Sequence, residues 1–223
     1  MNDNGHVPFI IKDCALAAIG TGKRATDLRE LRHNLQLAHP GCIYYHFWGA
    51  RLRPRFENPE YVNDFAEWAS NGIHDNVLAE RLGVISPTDY ETLEELRQEV
   101  IDVIEERLDE IEVAPWSKPD RQFQFTRSQI VVFDTGMQAV TPEDLVTCLT
   151  EMTSGSVFYH YIDARGRTDD GADDFRTWLR GFEGKYDDLC ELLADVDPYF
   201  ISLHNLREQL AQLFTSYFSG RRS

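Results

Sequence analysis

The chain is poor in lysine, cysteine and methionine, and it has no long apolar run. Each shortage excludes something. No stretch approaches the roughly 20 apolar residues of a membrane-spanning helix. The opening MNDNGHVPFI lacks a basic segment followed by an apolar one, so no export signal is expected. Cys14, Cys42, Cys148 and Cys190 form no CxxC pair, which removes zinc-knuckle spacing. They are expected to be reduced, apolar core thiols of a cytoplasmic protein. Positive charge is also scarce. Against 38 acidic residues stand 22 basic ones, a net charge of −16. Such a chain repels phosphate backbones and anionic lipid at long range, so neither nucleic acid nor a membrane is expected as a partner. An apolar content of 42% with 27% charged residues is that of a soluble globular protein.

What is present is repetition. With Phe9 set opposite Phe123, residues 9–53 match 123–167 without a gap at twelve of 45 positions. Unrelated chains of ordinary composition would match at about three. GCIYYHFWGARLR (41–53) meets GSVFYHYIDARGR (155–167), and Thr21-Gly22 meets Thr135-Gly136. Small shifts then bring Asp64-Phe65 and Trp68 onto Asp174-Phe175 and Trp178. The expected architecture is mainly α: a helical domain of roughly 100 residues, duplicated as 9–112 and 123–219 across a linker at 113–122. The two copies are expected to pack with pseudo-twofold symmetry.

Helix signals are clearest late in each copy. Leu93, Leu96, Val100 and Val103 recur at helical spacing, as do Leu203, Leu206, Leu210 and Leu213. Thr92 with Glu95 reads as a capping box, Ser202 as a cap, and Thr141-Pro142-Glu143-Asp144 as a helix start. Phe65/Trp68 and Phe175/Trp178, three apart, are expected to face the core. The opening of each copy is ambiguous. FQF and QIVVF look extended whereas CALAAIG looks helical, and a short extended piece followed by a short helix is the expectation. Gly20-Thr21-Gly22-Lys23-Arg24 resembles a fragment of a phosphate loop but reads better as a turn between helices.

The chemistry-bearing block is aromatic-Tyr-His followed by Ala-Arg-x-Arg. His46, Arg51 and Arg53 recur as His160, Arg165 and Arg167. Histidine can accept, donate or titrate, and arginine presents a rigid fork to an anion. These six residues are the ligand-binding candidates, with an anionic small molecule or a protein as the partner. A purely structural use is the competing reading, with the arginines paired to Asp64 and Asp174. One arginine of each pair is expected to meet such a carboxylate, leaving Arg53 or Arg167 for a ligand. His74-Asp75 is too short a motif to indicate a metal phosphohydrolase. Without HExxH, GxGxxG, Walker or GxSxG patterns, no metal and no cofactor is expected.

The blocks Ile43-Tyr44-Tyr45-His46, Asn63-Asp64-Phe65-Ala66-Glu67-Trp68 and Ile85-Ser86-Pro87 together resemble the prokaryotic domain-of-unknown-function family numbered 5752 over nearly the whole chain. Ser86 stands where that family's turn has aspartate, which Asp197-Pro198 keeps. The resemblance implies no activity and no catalytic residues. The function expected is therefore that of a non-catalytic binding or regulatory protein. The alternative is an enzyme acting on a phosphorylated or acidic metabolite, with histidine as acid/base and arginine as anion clamp.

Overall fold

Phe9–Ala25 and Phe123–Ala139 are extended along their full length and form strands β1 and β2, paired antiparallel in a two-stranded ribbon. The structure, a computed structural model, describes residues 6–52, 60–111 and 121–220. Threonine hydroxyls tie the ribbon near both ends. Thr21 Oγ1 donates to the Phe125 carbonyl at 2.7 Å, and Thr135 Oγ1 donates to the Ile11 carbonyl at 2.5 Å. Each hydroxyl also accepts from the amide two residues on, across Gly22 or Gly136. Both glycines have φ near +75°, a conformation that a side chain disfavours.

This ribbon overturns the mainly α expectation of a duplicated helical domain. CALAAIG and the Gly20–Arg24 segment are neither helix nor inter-helix turn but the middle and end of β1. A short apolar run reads equally as strand or helix, and the choice is made by pairing with a strand over 100 residues away. The compact units also differ from contiguous halves. One comprises residues 16–129, the other residues 1–15 with 130–223. Each strand therefore contributes its first seven residues to one unit and the remainder to the other. Residues 113–120 of the expected linker lie outside the described residues.

In the unit of residues 16–129, α1 (Leu28–Gln36) starts at Asp27, whose carboxylate accepts from the Glu30 amide. α2 (Pro40–Tyr44) continues through a π-helical turn, Tyr45–Gly49, into α3 (Ala50–Leu52). Asn63 caps α4 (Asp64–Asn71), Asp75 caps α5 (Asn76–Gly83), and the Thr92/Glu95 box opens α6 (Leu93–Glu110). Leu96, Val100, Ile101 and Ile104 of α6 are buried. β2 supplies this core with Phe123, which stacks on Phe65 at 5.2 Å and meets Trp68 edge-on at 5.7 Å. The Trp68 indole N–H donates to the Arg121 carbonyl.

In the unit of residues 1–15 and 130–223, α7 (Leu145–Glu151) and α8 (Ser154–Val157) precede a π-helical turn at Phe158–Ile162. α9 (Asp174–Leu179), α10 (Asp187–Ala194) and α11 (Leu203–Gly220) follow. Here β1 supplies the aromatic: Phe9 stacks on Phe175 at 5.2 Å, and the half-buried Trp178 donates to the Val7 carbonyl. Gly155 lets α8 approach β1, because a Cβ there would lie 2.5 Å from the Cys14 carbonyl oxygen.

Phe123 precedes every helix of its sequence copy yet packs on Phe65. A double-mutant cycle on Phe123→Ala and Phe65→Ala is expected to show about 0.5–1.5 kcal/mol of coupling in chemical denaturation. Additive effects would contradict the assignment of β2's start to the helices before it. Trp68→Ala alone should cost roughly 3–5 kcal/mol.

Candidate functional site

The π-helical turns carry His46 and His160 inward, each side chain only 3% exposed. Both rings are held from two sides. His46 Nε2 accepts the Thr126 amide of β2 at 3.2 Å, while Nδ1 lies 2.9 Å from Asp64 Oδ2. His160 Nε2 accepts the Lys12 amide of β1 at 2.8 Å, with Nδ1 2.7 Å from Asp174 Oδ2. A backbone amide can only donate, so Nε2 must be unprotonated, and the proton sits on Nδ1 facing the carboxylate. Phe9 and Phe175 flank the His160 ring, and Phe65, Phe123 and Phe125 flank that of His46. Each histidine thus fastens one stretch of the ribbon's outer edge to the helix that supplies its aspartate.

Arg167 belongs to the same cluster. Its guanidinium donates to Asp163 Oδ2 at 2.9 Å, to Asp174 Oδ2 at 3.0 Å and to the Tyr159 carbonyl at 2.9 Å, and it lies over the Tyr159 ring. In this second block the expected carboxylate pairing is present, through Arg167 and Asp174. Arg165 is the freer of the two. It sits over Tyr161 at 4.6 Å and reaches the Val196 carbonyl at 3.5 Å, while its buried Nε has no hydrogen-bond partner among the described residues. Tyr161 itself donates to the Leu193 and Val196 carbonyls, and burial pushes its phenol up. Arg51 lies against Trp48, and Arg53 falls outside the described residues.

Other candidates resolve into structure. Asp75 caps α5 and pairs with Arg107 at 2.8 Å, so the His74-Asp75 dipeptide serves a helix start. Asp173 caps α9 and pairs with Arg176, although burial pushes its carboxyl up. All four cysteines are free thiols. Burial, then the charges of Asp163 and Asp13, push Cys14 up to about 12. Among the described residues, no group of three or more His, Cys, Asp or Glu could hold a metal ion, and no helix is long and apolar enough to cross a membrane. The amides of Lys12 and Thr126, which complete the two clamps, carry no signal in the sequence.

Ribbon and clamps together define a class: helical units, each closed by half of a shared two-stranded ribbon that a buried histidine holds at its edge. The chain belongs to the family of unknown function DUF5752, whose model matches residues 6–215. It is similar to the solved structure of OrfY from Thermoproteus tenax at 28% identity, covering 93% of this chain and 94% of that one with a TM-score of 0.80. No curated protein matches it.

Three measurements check the clamps and thiols. Imidazole ¹⁵N shifts should report Nδ1–H tautomers for His46 and His160; an Nε2–H tautomer would contradict the geometry. His160→Ala strands a buried amide and should cost on the order of 2–4 kcal/mol, with faster hydrogen exchange at Lys12. Alkylation at about pH 8 should spare Cys14 in the folded protein and reach all four thiols in denaturant, because the thiolate is the reactive form.

Proposed function

We propose that this chain is a non-catalytic binding or regulatory protein of the cytoplasm. The observation that carries this reading is the engagement of both ring nitrogens in both histidines. A general base needs a free lone pair and a general acid a transferable proton. Here the lone pair accepts a strand amide and the proton faces a carboxylate. Chemistry at either ring would require the ribbon edge to be released first. Four free thiols suit a reducing compartment, and the net charge of −16 disfavours nucleic acid as a partner. Arg165, half-buried and with its Nε unpaired among the described residues, is the arginine this reading offers to an anionic ligand.

Incubation with phosphorylated and carboxylate metabolites should give no histidine-dependent turnover. A rate that falls about 100-fold in a His160→Ala variant that remains folded would overturn the reading. Arg165→Gln should leave melting nearly unchanged while removing any thermal shift produced by added phosphate or carboxylate.

A further inference from the structure

The loop joining α1 to α2, residues 37–39, lies where three acid-free stretches of the unit of residues 16–129 meet. Residues 16–26, 31–52 and 121–129 contain no aspartate or glutamate, in a chain that has 38. From β1, the Lys23 ammonium donates to the Leu37 carbonyl at 3.4 Å. From β2, the Ser128 carbonyl oxygen would lie 3.5 Å from a Cβ on Gly41, which sets the exposed Arg127 beside the loop. Burial pushes the Cys42 thiol up, and the nearby charges of Lys23, Arg127 and Arg97 oppose that rise. Arg97 is paired with Glu94, whereas Lys23 and Arg127 meet no carboxylate among the described residues. His39 Nδ1 accepts the Gly41 amide at 3.0 Å, so the neutral ring carries its proton on Nε2, a donor without a partner among the described residues. Between these groups Leu37 is 61% exposed.

The duplication supplies a control within the chain. Gly155 stands against the Cys14 carbonyl as Gly41 stands against that of Ser128. Arg207 donates to the Met152 carbonyl at the end of α7, and Arg97 to the Gln36 carbonyl at the end of α1. Yet Lys23, Leu37, His39 and Arg127 correspond to Met137, Glu151, Thr153 and Asp13. The same loop is built in the second copy with its charge reversed. Folding of the loop therefore does not require the basic set.

We propose that the surface formed by Lys23, Leu37, His39 and Arg127 docks an acidic segment of a partner protein, with an apolar side chain of that segment set against Leu37. Charge complementarity selects the occupant. The donors stand on two strands and a loop around an apolar centre. A segment with several carboxylates about an apolar residue can meet all of them, whereas a single small anion leaves Leu37 uncovered. Nucleic acid is also anionic, but it brings charge along its whole length against a chain of −16. A short acidic segment exposes little beyond its contact residues to that field, and salt screens the remainder. The inference rests on the binding reading and extends it to a second surface. Neither Arg165 nor the histidine clamps take part, so the two can fail separately.

Fluorescence anisotropy with a labelled peptide provides the test. The probe is about twelve residues long, glutamate throughout except for central leucines, with blocked ends. Binding to the full chain is expected with a Kd of about 10–100 µM at about 0.05 M NaCl, weakening at least about tenfold by about 0.3 M. Lys23→Met and Leu37→Glu install the residues that the second copy already carries. Melting should therefore hold in both, while affinity falls about 5–10-fold or more. Lys185→Met, an equal loss of charge in the other unit, should bind as the wild type does. No binding by about 1 mM peptide overturns the proposal, as does binding that salt does not weaken, or an equal loss in Lys185→Met. Tighter binding of an oligothymidylate of the same length also overturns it. So does self-association in sedimentation velocity that Leu37→Glu abolishes, which would put a second copy on this surface.

Discussion

The structure depends on a backbone amide at a sheet edge meeting an unprotonated imidazole nitrogen. A two-stranded ribbon is marginal by itself, because each strand has only one neighbour. Here the outer amides of Lys12 and Thr126 are taken by His160 and His46, and Asp174 and Asp64 hold the rings in the required tautomer. Packing of Phe9 and Phe123 against those rings and against Phe175 and Phe65 makes edge, ring and core one cooperative cluster. Burying such a polar chain is tolerable only because its members are satisfied.

Much of the helical framework was legible. The Thr92/Glu95 box opens a helix through side-chain chemistry confined to a few residues, whereas the caps made by Asp27, Asn63 and Asp173 were not read from the sequence. The ribbon was not legible, because its determinant is a partner remote in sequence. CALAAIG has no period that separates strand from helix. Thr21-Gly22 looked like a turn because glycine does mark turns; here it places a left-handed residue inside a strand. The repeat was visible, but a repeat reports which residues correspond and not which of them pack together.

The site was half legible for a related reason. His46, His160, Asp64 and Asp174 stood out, and Asp174 does meet Arg167. The second partner of each histidine is a main-chain amide, which any residue but proline supplies, so side-chain identity could not mark it. Asp163, four residues before Arg167, adds a second carboxylate partner to Asp174 that the sequence reading did not name.

The exchange of strand ends has a consequence for synthesis on the ribosome. Residues 9–15 emerge first, but the helices they join span residues 145–220. Residues 16–25 must likewise wait for 123–129, and α1 to α6 emerge without the strand that supplies Phe123. The unit of residues 16–129 is contiguous and can close once residue 129 has emerged, whereas the other cannot close until residues after 130 join residues 9–15. The chain must hold Phe9 and Ile11 without their core until nearly all of it has been made, and the slow step of its folding is set by contacts more than 100 residues apart.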